Sequence, residues 1–217
     1  MKIVVPLRLF KIITILVLGC GTVMAQSESA PSNPNVRLGQ KALLDGDFKA
    51  AAEYLERALP AEAGDPNVMY MLGYAQYHSG NYEKALASFS KVVELRPEDE
   101  RSYYFKGRLN NMFAVKTDTK LSTAKREELL RASITDYSKG IDLNDQDVKL
   151  FQNRGISYRD LGILLGTSGT ANYNKEAAVE AYNNSISDFE TVLSFFPGRK
   201  DIETEIKKAK VYRDNLK

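Results

Sequence analysis

Apolar residues recur along this chain at helical spacing, in short stretches bounded by turn residues. Between Pro66 and Asp99, Met69, Leu72, Gly73 and Gln76 stand at i, i+3, i+4 and i+7, which places them on one face of a helix. Asp65-Pro66 predicts its start, because aspartate accepts from free backbone amides and proline gives up an N–H that has no partner in a first turn. Ser79-Gly80-Asn81 predicts its end, with Gly80 in the left-handed conformation that closes helices. A second helix then carries Tyr82, Ala85, Leu86, Phe89, Val92 and Val93 until Leu95-Arg96-Pro97 stops it. Gly73 and Ala85 are small enough to let the two backbones approach, and Phe89 fills the space beside them.

The same pattern repeats. Leu38-Gly39 recurs as Leu72-Gly73, Ala51 as Ala85 and Leu55 as Phe89, each pair 34 positions apart. A fixed period of that length predicts stacked two-helix units. The first unit covers about 32–65, turning at Asp45-Gly46-Asp47 with Phe48, Ala51, Leu55 and Ala58 on its second helix; the next covers 66–99. Gly107 follows Gly73 by the same period and opens a third unit in register. Tyr137 then takes the place of Phe89 but stands 48 positions beyond it, an excess of 14, and Gly155 is likewise 48 beyond Gly107. Two landmarks thus put one insertion inside the third hairpin, around Phe113 to Glu128. Phe189, 52 past Tyr137, puts an excess of 18 inside the fourth, around Leu164 to Ala181.

Units at 100–147 and 148–199 follow, with lengthened helices and longer tips. Lys125 to Leu130 and Lys175 to Tyr182 have helical composition, whereas Gly166-Thr167-Ser168-Gly169-Thr170 reads as a loop. Ile202, Ile206, Ala209 and Leu216 share one face of a last segment, 200–217, expected as a capping helix with a polar outer surface. The 217 residues and 43% hydrophobic content suit one such domain over 34–217.

The second unit resembles a tetratricopeptide repeat, whose pattern is W-x2-L-G-x2-Y, then A-x3-F, then P. Leu72-Gly73, Ala85-Leu86, Phe89 and Pro97 match it, with Met69 and Gln76 in place of the large aromatics. The resemblance implies an all-α fold: a right-handed α-solenoid of about four helical hairpins plus the C-terminal capping helix. It also implies that successive first helices line a concave groove. Carried over, the groove positions are Val36, Gln40 and Leu43, then Tyr70, Tyr74 and Tyr77, then Tyr104, Arg108 and Asn111, then Gln152, Ile156 and Arg159.

The residues point the same way by themselves. Tyr70, Tyr74 and Tyr77 form a second stripe at i, i+4 and i+7, and a solvent-facing helix requires no line of tyrosines. Two readings of it stand: a partner-binding face, for which tyrosine and arginine are the most effective residues, or packing against neighbouring units or the insertions. Arrays that clamp a chaperone's terminal carboxylate use lysine and asparagine where this chain has Val36 and Gln40, so the resemblance implies a different ligand.

The start of the chain has another purpose. Lys2, Arg8 and Lys11 precede an apolar run from Ile12 to Leu18, and small residues end in Val23-Met24-Ala25, which predicts a signal peptide over 1–25 and a linker over 26–33. The run is short for a membrane span. Cys20, the only cysteine, stands in Val17-Leu18-Gly19-Cys20, which resembles a bacterial lipobox with an uncommon Leu18. It is either a lipidation site or a small hydrophobe inside the leader. Cleavage after Ala25 would leave a mature chain without thiol or disulfide chemistry.

Charge and candidate chemistry narrow the function. The chain has 30 Lys plus Arg against 28 Asp plus Glu; without the leader's three bases the balance is 27 against 28, with no long basic stripe, so no nucleic-acid partner is expected. His78 is the sole histidine and allows neither a His metal pair nor a His relay. Asp142 to Asp147 lacks the glycine and closing glutamate of a calcium loop, and Gly166 to Thr170 lacks the lysine of a phosphate loop. No catalytic residue, metal or cofactor is expected. The expected role is a non-enzymatic scaffold of the bacterial cell envelope, periplasmic, holding a protein or peptide segment in its groove. The alternatives are an outer-membrane lipoprotein aiding assembly or secretion, meeting the membrane only through Cys20 or a retained leader, and a glycan or small-ligand binder using a pocket formed by the insertions.

Overall fold

The computed structural model describes residues 33–117 and 120–216. The expected signal peptide over 1–25, its expected cleavage site, Cys20 and nearly all of the expected linker over 26–33 lie outside the described residues. Among the described residues nine α-helices follow one another without a strand. α1 (Pro34–Leu44) and α2 (Phe48–Glu62) form the first hairpin, α3 (Pro66–His78) and α4 (Tyr82–Leu95) the second, α5 (Glu100–Val115) and α6 (Thr123–Leu143) the third, α7 (Val148–Gly166) and α8 (Lys175–Phe195) the fourth, and α9 (Lys200–Asp214) follows them. Each helix packs on the next in sequence; α1 also meets α3, α5 meets α7 and α7 meets α9, whereas second helices make no comparable contact with one another. The odd-numbered helices therefore lie on the inner side of an α-solenoid.

Local chemistry sets the ends of the helices. Side chains of Asn33, Asp47, Asp65, Asp99, Ser122, Asp147 and Asn174 each accept a first-turn amide at 2.7–3.2 Å. Pro34 and Pro66 occupy first-turn positions that need no N–H. The two short hairpins close on Gly46 and Gly80, at φ 76° and 82°. There the amides of Asp47 and Asn81 reach back to the carbonyls of Ala42 and Gln76 at 2.9 and 2.8 Å. Only glycine takes that backbone cheaply.

One contact recurs along every hairpin. A β-carbon would stand 2.6 Å from Leu55 Cγ at Gly39, 3.1 Å from Phe89 Cε1 at Gly73, 2.9 Å from Tyr137 Cζ at Gly107 and 3.0 Å from Phe189 Cε1 at Gly155. Each large side chain lies flat on the partner helix where a side chain is missing. Gly73→Leu should overpack this seam and lower stability by about 1–3 kcal/mol in denaturant unfolding.

In α7 and α8 the contact appears a second time: Gly162 faces Tyr182, with an added β-carbon 2.8 Å from the ring. The pair stands seven residues further along α7 than Gly155 and seven earlier along α8 than Phe189. Ala114 and Leu130, at the same offsets in α5 and α6, are both buried in the same core cluster. Measured from the seam residues, α6 and α8 each begin seven residues earlier than α4, about two turns, which keeps the packing face in phase, while α7 runs six residues further than α3 and α5 only three. The rest goes to the tips. Residues 167–174 join α7 to α8, and Asn172 there accepts from Thr123 Oγ1 at 3.1 Å and donates to Glu127 of α6, so the two lengthened hairpins are tied together.

The lengthened units also share an ion pair. Lys106 and Arg154 each precede a seam glycine, Asp136 and Asp188 each precede a seam aromatic, and they pair at 3.0 and 2.7 Å. Asn110 Nδ2 adds a 2.9 Å bond to Asp136, and Arg154 holds Asp188 bidentately. Burial pushes both carboxyls up against the pull of these partners.

The core is segmental, with clusters spanning α1 to α3, α3 to α5 and α5 to α9. α9 buries Ile202, Ile206 and Ala209 as expected of a cap, and Leu216 beyond it covers Gly166 and Ala178. Its outer side is less polar than expected, since Val211 and Tyr212 remain exposed.

Candidate partner-binding groove

The tyrosine stripe of α3 does not stand alone. Phe105, from α5, enters among its rings: the centroids of Tyr70, Tyr74 and Tyr77 lie 6.3, 5.8 and 5.1 Å from it, all edge-on. Phe105 itself stacks on the seam residue Phe89 at 4.7 Å with the ring planes 2° apart. Tyr74 also meets Phe48 at 6.0 Å and His78 at 4.3 Å, and His78 stacks on Phe48 at 4.7 Å. Burial, followed by the field of Arg108, lowers the His78 pKa. The side of the stripe facing α5 is an inter-unit packing surface, and Phe105 is a residue that the sequence pattern did not single out.

The remaining faces open on a cleft of about 600 Å³ between α5 and α7, where Tyr77, Tyr104, Arg108, Asn111, Gln152 and Ile156 come together. Arg108 Nη1 donates to Tyr104 Oη at 3.2 Å, and its guanidinium lies 5.6 Å from the Tyr77 ring centroid. Burial raises the Tyr77 pKa, offset in part by Arg108, so the hydroxyl stays a donor at neutral pH. Asn111 donates to Asp160 at 3.0 Å and Gln152 accepts from Arg199 at 3.4 Å, which orients both amides. Tyr70 lies at an adjoining cleft of about 210 Å³ with Tyr104, under the Arg101 guanidinium at 4.4 Å. Burial pushes its hydroxyl up to about 12 despite Arg101.

Other expected groove residues stand elsewhere. Val36 is a core residue, 2% exposed against α2 and α3, because α1 turns it inward. Gln40 and Leu43 are half-buried on α1, apart from the α5–α7 cleft. Arg159 is engaged within the chain: it bonds Asp160 at 2.8 Å and also Glu205 of α9, so it latches the cap.

The structure adds residues too. Lys149 lies one turn before Gln152, and Val115 and Ile163 one turn beyond Asn111 and Arg159. Extending the stripes Tyr104-Arg108-Asn111 and Gln152-Ile156-Arg159 by one helical step finds all three.

The Arg159 latch predicts a pH response. Burial pushes the Glu205 carboxyl up, but hydrogen bonds from Lys208 and Arg159 outweigh it, and the net pKa lies below 4.5. A carboxylate lowered in the folded state contributes stability above its unfolded value, lost as pH falls through the folded one. Below about pH 4.5 the α9 amides should therefore exchange hydrogen sooner than those of α3. Glu205→Gln should produce the same difference at neutral pH, measured by hydrogen-exchange mass spectrometry.

Residues 42–109 match the family model described as tetratricopeptide repeat. No curated protein matches the sequence. Among solved structures the fold is similar to YrrB, described as a TPR protein with an unusual peptide-binding site, at TM-score 0.63 and 14% identity over 85% of this chain and 79% of that one. It is also similar to MamA protein, at TM-score 0.53 and 20% identity over 83% of this chain and 90% of that one. The family match thus runs from the end of α1 into α5, and the α-solenoid fold shared with those solved structures continues through the lengthened hairpins: residues 42–109 are tetratricopeptide repeats within a longer array of helical hairpins.

Proposed function

We propose that this protein is a non-enzymatic interaction scaffold that holds a segment of a protein partner in the cleft between α5 and α7. The observation that carries this reading is the meeting of Tyr77, Tyr104, Arg108, Asn111 and Gln152 around one open space of about 600 Å³. Large aromatic faces, a guanidinium and oriented amides are the groups that concentrate binding energy in a small area. The peptide-binding site named for YrrB supports the same use of the fold. Full-length protein carrying Tyr104→Ala and Arg108→Ala should lose its partner in pull-down from envelope extracts while remaining folded; retained partner binding would remove the cleft from the account.

The leader gives the compartment in this reading: export to the periplasm of a bacterial cell, with anchoring at the outer membrane as the variant if Cys20 is lipidated. Lipid labelling that disappears in Cys20→Ala would establish the variant, and its absence from the wild-type chain would leave a soluble exported protein.

A further inference from the structure

The two lengthened hairpins give the cleft an end that units of ordinary length do not have. In the second unit the inner stripe runs Asn67, Tyr70, Tyr74, Tyr77, and its next position, Asn81, already lies beyond α3. In α5 and α7 the helices continue, and the next positions are Val115 and Ile163, which are 45% and 43% exposed. Val115 lines the cleft and also, with Ile163, the adjoining space of about 280 Å³ at the hairpin tips. Two large aliphatic side chains open to water at equivalent positions are what a docking surface supplies.

The middle of the cleft carries the opposite chemistry. Arg108 and Lys149 both line it and no carboxylate does; among the described residues neither base has an acidic partner. Asp160, which accepts from Asn111, is already held by Arg159 at 2.8 Å. Lys149 also lines the smaller cleft toward the other end of these helices, together with Glu100 and Asp147, but forms no ion pair with either; there Asp147 caps α7 and Arg101 already bonds Asp99 at 3.1 Å. Arg108 stays fixed by Tyr104 and Tyr77, so a charged ligand meets a preoriented guanidinium.

We infer that the occupant of this cleft is an acidic peptide segment of a protein partner. Its carboxylate faces Arg108 and Lys149, and an apolar side chain further along rests on the shelf made by Val115 and Ile163. Seven residues of α5 separate Arg108 from Val115, a rise of about 10 Å. The two ligand groups therefore stand about three residues apart in an extended segment or about seven apart in a helical one. The inference rests on the scaffold reading and names the partner chemistry of that same cleft.

A displayed library of random dodecapeptides, selected on the full chain, tests it. Selected peptides should pair aspartate or glutamate with a large apolar residue at one of those two spacings. Arg108→Glu with Lys149→Glu should weaken them about thirtyfold or more and, used as bait, should select basic peptides instead. Val115→Ser with Ile163→Ser should weaken them about tenfold without changing the preference for acid. Peptides that are lost with Tyr104→Ala, yet carry no acid and ignore the charge reversal, would overturn the acidic occupant and leave the scaffold reading intact. Peptides that keep binding through all of these substitutions, or no selected binder, would overturn both.

Discussion

Phe189→Ala should lower stability by about 3–5 kcal/mol, the largest effect expected of any single truncation on the fold. The ring is 0% exposed, lies against the bare backbone of Gly155 and belongs to the cluster that joins α5 through α9. A cavity there cannot collapse easily, because Tyr182 at Gly162 holds the same two helices two turns away. Repeat arrays respond locally, so the loss should be uneven. Hydrogen exchange should rise across α7 to α9 and little across α1 to α3, with an early phase in denaturant unfolding. Phe196, 55% exposed at the end of α8, provides the contrast: its truncation should stay within about 0.5 kcal/mol. A Phe189→Ala protein within about 1 kcal/mol of wild type would mean that the glycine seam is not what holds the fourth hairpin.

Tyr104→Ala combined with Arg108→Ala should weaken partner binding about thirtyfold or more, the cost of about 2 kcal/mol that marks residues at the centre of an interface. Tyr104 gives the cleft its aromatic wall and accepts from Arg108; Arg108 is exposed and reaches the α3–α5 cluster through the Tyr77 ring at 5.6 Å. Neither is a seam residue, though Tyr104 stands edge-on to the seam ring Tyr137 at 6.1 Å, so helicity should stay close to wild type and the unfolding midpoint should fall only slightly. The expectation differs for Tyr74, whose ring is packed among Phe48, His78 and Phe105; its loss should be felt first as stability. Substituting Lys91 and Glu94 by alanine, exposed on α4 and paired with each other at 3.0 Å, should leave binding unchanged.

The all-α solenoid and its glycine–aromatic spacing were legible in the sequence because both follow from contacts inside one hairpin, where a fixed offset between two residues carries the geometry. Gly73 and Phe89, and Gly107 and Tyr137, could be paired by counting. How each insertion divides between helix and tip was less accessible, since the displacement of a landmark such as Tyr137 or Phe189 gives only a total. Gly162 and Tyr182 held the answer, but as a pair seven steps from another they become meaningful only once the arms are known to run alongside each other.

Contacts between units were harder to read. Phe105 lies one position off the Tyr104 stripe, about 100° around the helix, and its place among the α3 rings depends on how two hairpins stack. Arg159 sits at the proper groove position, yet its partner Glu205 is far along the chain, on the cap. Periodicity gives the face a residue occupies; it carries no information about what another unit brings to that face.

The cleft between α5 and α7 as the partner's seat is the claim on which the rest depends, and a photo-crosslinking amino acid in place of Tyr104 in the full chain tests it most directly, with the same probe at Ser187, exposed on α8, as the control. The account predicts a discrete crosslinked partner from position 104, reduced by Arg108→Ala, and none from position 187. Crosslinking of the same partner from 187 and not from 104 would contradict it.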